Sequence, residues 1–384
     1  MELVQYYTLN RNLLSSLGLW PYDNFKVRQL RFILTLFIMV SFISSQLMKL
    51  FVSEYDLDLF IQIIPFNMIF ITLVIKYITV YMREFQDRLQ NNWNALIDNQ
   101  EIEIIRKQAI IGKLFTQFLT IFACSALFVS FIIQYISILL DVIIPLNESR
   151  PRELLFPVEY FIDQQKYFPI LTILTGIGFI VSSMSALATE SFSFVNALHA
   201  FGLFKVASYR MKHILLSQTN FQICTTKQYI ISRHRIIAAV DFHRRAIEYS
   251  ELLKRSFGPM YLMYFVVLVS STSINLFNLL RALMSNRILH VFKSLIFIFI
   301  YILSVTLANY AGQKFIDYDT LVYQTICNMK WYDAPLKIQK LIFFLIQKTT
   351  KCYKVDAGGM FNPCFEGLAT VFSMTISYFL VFPP

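Results

Sequence analysis

Residues 32–52 read Phe-Ile-Leu-Thr-Leu-Phe-Ile-Met-Val-Ser-Phe-Ile-Ser-Ser-Gln-Leu-Met-Lys-Leu-Phe-Val, from Phe32 to Val52, directly after Lys26, Arg28 and Arg31. A helix needs about 20 mostly apolar residues to cross a bilayer's hydrocarbon. This run meets that length and carries one charge, Lys49, near its end. No small-residue cleavage site follows a short apolar core upstream, so the run is expected to stay as an anchor. It sets the reading of the whole chain.

The same pattern recurs. Further spans are expected at Leu59–Tyr81, about Leu114–Leu140, about Phe168–Ala200, Phe257–Leu280, about Ser294–Ala311 and Phe361–Phe382, seven in all. Lys76 interrupts the second, close enough to its end to snorkel to the boundary. Leu341-Ile342-Phe343-Phe344-Leu345-Ile346 is apolar but hemmed by Lys337, Lys340, Lys348, Lys351 and Lys354. It is too short to cross and reads as an amphipathic helix buried in protein or lying at the interface.

Composition agrees. Of 384 residues, 56% are hydrophobic, 16% aromatic and only 15% charged, against about 25% charged in soluble domains. The fold class expected is an all-α membrane protein. Residues 1–200 hold four spans, 201–255 polar helical extensions, 256–311 two spans, 312–356 an amphipathic anchor helix, and 357–384 the last span. In 201–255, Ile236, Ile237, Val240 and Ile247 are interleaved with Arg233, Arg235, Arg244 and Arg245, so the flanking spans are expected to continue out of the membrane as long helices.

Basic residues orient the chain. The N-terminus and the 82–113, 201–255 and 312–356 segments together hold 26 Lys and Arg, and the three opposite segments hold 6. The N-terminus is therefore expected in the cytoplasm and the C-terminus outside. The sequon Asn147-Glu148-Ser149 falls in a loop assigned outside on that count, making Asn147 a glycosylation candidate.

Several function classes drop out. G-protein-coupled receptors have the opposite polarity, and Asn362-Pro363 opens the last span instead of closing it. Cys124, Cys224, Cys327, Cys352 and Cys364 show no metal or disulfide spacing. His199, His213, His234, His243 and His290 show no paired ligand spacing beside a Glu, and Asp241 and His243 fall on different helix faces. No phosphate-cradling Gly loop or nucleophile elbow is present. No catalytic site, metal, cofactor or nucleic-acid partner is expected. A membrane transporter remains a rival reading, although Pro65 and Gly176-Ile177-Gly178 do not fall at matching places in two halves. A receptor signalling only through a soluble partner is a third.

Six separated segments carry a family likeness: Phe156-Pro157-Val158-Glu159-Tyr160-Phe161, Phe204-Lys205-Val206-Ala207-Ser208-Tyr209-Arg210, Asp241 through Ser250, Trp331-Tyr332 with Ala334-Pro335-Leu336-Lys337, Ala357-Gly358-Gly359, and Ser377-Tyr378-Phe379-Leu380-Val381-Phe382. In this order the chain resembles the insect odorant receptor family, in the style of its hymenopteran members, over nearly its whole length. Ser377-Tyr378 is present, but the Gln-Phe that usually closes the related gustatory receptors is not, which favours the odorant branch over a gustatory-type chemoreceptor channel. The 201–255 segment is too short for the insertion of the family's co-receptor, so a tuning subunit is expected.

The resemblance implies an odorant-binding subunit of a tetrameric, ligand-gated, non-selective cation channel, assembled with that co-receptor. It also implies a plasma-membrane location, in the dendrite of an olfactory sensory neuron, and small hydrophobic odorants and membrane lipid as partners. Such a ligand needs a mostly apolar pocket with few polar groups, and the family places it in the outer halves of the second, third, fourth and sixth spans. Candidates there are Phe66, Met68 and Ile69; Phe128, Phe131 and Tyr135; Phe168, Thr172, Thr175 and Phe179; and Phe297 and Tyr301. Thr172 and Thr175 between two aromatic rings would supply the polar anchor, unless each hydroxyl bonds back to its own helix.

The last span has its own logic. Gly358-Gly359 permits a sharp turn, Asn362 suits an N-cap, Pro363 the first helical position and Glu366 the first turn. Thr370, Met374, Ser377 and Val381 form one stripe, narrower and more polar than its Phe-rich flanks. Four copies around an axis would line a pore with hydroxyl rings and close it at Val381, the position matching the family's gate. Glu366 has two readings of similar weight, a cation-enriching ring or a helix-start charge.

Overall fold

The computed structural model describes residues 7–53, 57–79, 82–143, 154–215, 226–285, 288–350, 353, 356 and 361–381. Asn147, Gly358 and Gly359 lie outside them. The elements are helices α1 (Thr8–Ser16), α2 (Phe25–Val52), α3 (Leu57–Thr79), α4 (Met82–Asn94), α5 (Asn99–Ile143), α6 (Phe168–Lys212), α7 (Thr226–Met284), α8 (Ile288–Cys327), α9 (Leu336–Thr349) and α10 (Phe365–Val381), with a 3-10 turn at Trp331–Asp333. Six of the described helices are long and apolar enough to cross a membrane, and a shorter apolar helix follows at Phe365–Leu380. At 1.5 Å per residue α10 spans about 26 Å, just under the hydrocarbon thickness of about 30 Å.

Length explains the shape of the rest. The 45 residues of α5 or α6 rise about 68 Å and the 59 of α7 about 88 Å. Each overruns a bilayer, and the surplus gathers at the end rich in Lys and Arg, the basic end. There α1, α9 and the overhanging parts of α5–α8 share one core, including Leu14, Ile105, Phe201, Phe204, Phe242, Tyr249, Val322 and Ile342. Arg210 crosses it, donating from Nε and Nη2 to the two oxygens of Glu101 at 2.6 and 2.7 Å and lying 3.8 Å over the Phe242 ring. His243 pairs with Asp319 at 3.1 Å inside the same core, while Asp241 faces Arg245 on the surface.

The inward stripe of α7 takes in only part of the interleaved apolar set. Ile236 is buried, but its companions are Ala239, Phe242, Ala246 and Tyr249; Ile237 and Val240 face out. Ala239 and Ala246 alternate there with the large rings of Phe242 and Tyr249, all four buried. In α9, Ile338, Ile342 and Leu345 turn in while Phe343 and Phe344 stay exposed.

Gly18 closes the turn between α1 and α2 at φ 74°. A Cβ there would sit 2.5 Å from the Arg28 carbonyl oxygen, so the left-handed turn tucks under α2 only with glycine. The bundle's outward faces are apolar: Ile33, Phe37 and Val40 on α2; Leu114, Phe118 and Ile121 on α5; Ile170, Ile173 and Ile177 on α6; Leu295, Phe299 and Ile302 on α8 are all exposed. Such a girdle belongs against lipid tails.

Candidate ligand site and terminal helix

A cavity of about 370 Å³ opens between α3, α5, α6, α7 and α8. Its walls follow from what each span places at helical spacing: Phe66, Ile69, Phe70 and Leu73 on α3; Phe115, Leu119 and Phe122 on α5; Phe179 and Leu187 on α6; Phe297, Tyr301 and Leu307 on α8. A second cavity, about 190 Å³, lies toward the end opposite the basic one and shares Phe66, Phe179 and Phe297 with the first. Its lining is more polar, with Gln62, Asn275, Asn278, Arg281, His290 and Ser294.

Where the two meet, four rings form a cage. Phe66 stands edge-on to Phe297 at 4.2 Å and to Phe156 at 5.6 Å, and Phe156 meets Phe179 at 4.8 Å. Phe156 comes from the α5–α6 connection, which dips into the bundle and buries Leu154, Phe156 and Val158 against Phe42, Phe70, Phe168 and Leu171. Polar bonds hold this plug in place. The Leu155 N–H donates to Gln134 Oε1 at 2.6 Å, the Glu159 N–H to the Ser45 carbonyl at 2.9 Å, and Lys49 Nζ to Glu159 Oε2 at 2.9 Å. The Lys49 bond, its charge and backbone N–H donors outweigh burial and hold the Glu159 carboxyl below its ordinary range.

The structure brings Phe66, Ile69, Phe179, Phe297 and Tyr301 of the expected set to the cavity wall. Met68 is absent from either lining. Phe128 and Phe131 are 66% and 60% exposed on the outward face of α5. In a lipid solvent nothing drives an aromatic stripe inward, so shared helical phase did not locate the pocket. Tyr135 and Phe168 pack on one another at 6.3 Å behind the plug. Thr172 Oγ1 donates to the Phe168 carbonyl and Thr175 Oγ1 to that of Leu171, at 2.8 and 2.9 Å. Both hydroxyl protons are spent on the helix itself.

Sequence reasoning missed two participants. Phe156 was visible only as part of a loop motif. Glu190 sits inside a span as an intramembrane carboxylate, a signal of function in its own right. It forms an ion pair with Lys76, so Lys76 does not snorkel to a boundary: a carboxylate within reach in a low-dielectric interior outcompetes it.

Helix α10 leans on α7 and α8 through Val371 and Thr375, with Leu368 alongside Val305 and Leu268. Ser273 Oγ donates to the Thr375 carbonyl at 3.1 Å. Thr370, Met374 and Ser377 face away from the bundle, as does Glu366, and Val381 is the last residue of the helix. The N-cap is Cys364, not Asn362. The Cys364 carbonyl accepts from Leu368 N–H at 2.9 Å, and its own N–H is taken by Asn309 Oδ1 of α8 at 3.1 Å. Residues 361–363 are therefore held by α8 before the helix winds.

The family model described as 7tm Odorant receptor matches residues 56–376. The chain belongs to the insect odorant receptor family. Odorant receptor 22c of Drosophila melanogaster is 20% identical over 237 residues, covering 61% of this chain and 58% of that protein; the match thus spans less than two thirds of the relative's length. The structure of the insect olfactory receptor OR5 from Machilis hrabei superposes with a TM-score of 0.71 at 12% identity, over 99% of each chain. The same receptor in complex with eugenol gives 0.75 over the same coverage. These likenesses establish a multi-pass, all-helical odorant receptor fold.

Proposed function

We propose that this chain is the odorant-binding subunit of a heteromeric, ligand-gated, non-selective cation channel in the plasma membrane of olfactory neurons. The observation that carries the ligand half of this reading is the cavity of about 370 Å³ walled by Phe66, Phe179 and Phe297, with the Phe156 ring packed on Phe66 and Phe179. Its wall is mostly apolar and drawn from several helices, as a small hydrophobic odorant requires. That OR5 of Machilis hrabei was solved with eugenol supports the same ligand class.

The channel half rests on α10. One face is bound to α7 and α8; the other presents Thr370, Met374 and Ser377 with no covering helix from the same protomer among the described residues. Four such faces around an axis would line a pore that closes at Val381. With the N-terminus in the cytoplasm, the basic end meets the anionic inner leaflet and provides the surface where subunits join, the co-receptor among them. An odorant opens the pore by binding the open arrangement more tightly than the closed one. Nothing in this scheme calls for enzymatic chemistry.

The test is co-expression with the family's co-receptor, a panel of volatile ligands, and recording of current at fixed voltage under complete G-protein blockade. Odorant-evoked current that persists without a solute gradient supports a channel. Current that needs a gradient would favour a transporter, and loss under blockade would favour a receptor acting through a soluble partner.

A further inference from the structure

The charged residue in the lining of the larger cavity is Glu190. Its carboxylate is paired with Lys76 of α3, yet the two are not equally enclosed: the Lys76 side chain is 9% exposed and that of Glu190 42%. Lys76 is shut behind the pair, with its ammonium 5.8 Å over the Tyr261 ring, while Glu190 opens to the cavity. One carboxylate oxygen, Oε1, accepts from Lys76; no protein hydrogen bond among the described residues reaches the other.

The neighbouring hydroxyls do not supply donors either. Ser193 Oγ donates to the Glu190 carbonyl at 2.9 Å and Ser183 Oγ to that of Phe179 at 2.7 Å. Tyr261 Oη donates to Ser193 Oγ at 3.3 Å. The cavity therefore offers a carboxylate oxygen that these hydroxyls leave open, in a mostly apolar wall whose other polar groups are serine and tyrosine hydroxyls, and an acceptor short of donors in a low-dielectric site is costly. A ligand that brings a donor relieves that cost.

We propose that Glu190 is the polar end of the ligand cavity, selecting odorants that carry a neutral hydroxyl, an alcohol or phenol, on an apolar body held in the same cavity. A cationic amine fits less well, because the carboxylate is already neutralised by Lys76 and a second cation would face the first. A carboxylic acid would meet Glu190 as a like charge. This rests on the ligand-binding reading above and adds the chemical class of the ligand.

The experiment compares alcohols with their own methyl ethers, which keep the skeleton and lose the donor. Two readouts are taken: current with the co-receptor, and ligand-induced thermal stabilisation of the purified protein in detergent, which requires no current. Half-maximal concentrations for alcohols are expected at least about tenfold below those of the matched ethers. In Glu190→Gln the preference shrinks. Because that change takes the carboxylate away from Lys76, the second variant is Lys76→Met with Glu190→Leu, which replaces the pair by apolar groups of similar size. There the ratio is expected to fall to about one while ethers still act. A ratio unchanged in the double variant, or no preference in the wild-type protein, overturns the proposal and leaves the channel reading standing. Stabilisation by alcohols with no current from any ligand would support the pocket chemistry and sink the channel reading instead.

Discussion

Asn278 on α7 donates from Nδ2 to the main-chain carbonyl of Ile61 on α3 at 3.1 Å. Ile61 lies four residues before Pro65, so its carbonyl is the acceptor that the proline ring leaves without an N–H. Ser271 Oγ donates to the carbonyl of Pro65 itself at 3.4 Å. Inside a membrane such a vacancy must be filled by protein, and here the neighbouring helix fills it beside the ligand cavities.

Replacing Asn278 by Leu should therefore destabilise the protein by about 1–3 kcal/mol, the cost of a buried polar group left unmade. Thermal unfolding in detergent would measure this. Pro65→Ala in the same background restores an N–H at that position and should recover most of the loss. Equal destabilisation with and without proline would mean that the amide matters for packing alone.

Lys49 and Glu159 clasp the Phe156 segment, which lines the smaller cavity. Lys49→Met should loosen it, speeding deactivation after odorant removal by about two- to fivefold, on the scale of an ion pair worth roughly 0.5–1 kcal/mol. The clasp also has a pH signature. Since the Glu159 carboxyl is held below its ordinary value of 4.5, its contribution is complete above that value and disappears as pH falls through the lower, folded-state one. Deactivation in the wild-type protein should quicken only in strongly acid external medium, and Lys49→Met should abolish the change.

At Gly312 on α8 an added Cβ would lie 1.9 Å from the Pro363 carbonyl oxygen. Gly312→Ala must push the 361–364 segment off α8 and displace the start of α10. Surface-expressed Gly312→Ala should retain odorant-dependent stabilisation, because Gly312 is not in the lining of the cavity, and lose most of its current. Wild-type current amplitude would show that this contact does not set the position of α10.

Val381→Ala tests the gate. A smaller ring at the end of α10 should raise current in the absence of odorant or alter which cations pass. If both stay at wild-type values, the constriction lies at another residue.

Much of the architecture was written in the order of residues. The run from Phe32 to Val52 needed only its length and apolarity to be a span, and the same holds for the segments in α5, α6 and α8. The Leu341–Ile346 helix announced itself by its flanking lysines. Sequence was a poor guide to which face of a span looks inward. Phe128 and Phe131 share a helical face with Tyr135, yet those two point outward while Tyr135 packs on Phe168; Ile237 and Val240 likewise face out beside the buried Ala239 and Ala246. In water, hydrophobicity would have sorted these faces. In a bilayer the solvent is as apolar as the core, and close packing, backbone hydrogen bonding and charge pairing do the sorting.

By itself, then, the order of amino acids determined that this is a polytopic helical membrane protein of the odorant receptor type, because crossing hydrocarbon demands long apolar helices and those are local features. Only the tertiary structure decided that Phe156 from a connecting loop meets Phe66 at the smaller cavity, that Lys76 turns to Glu190 rather than to the boundary, and that Asn278 repairs the gap left by Pro65. Each of these joins residues about 90 or more positions apart, and such meetings depend on how helices lie against one another.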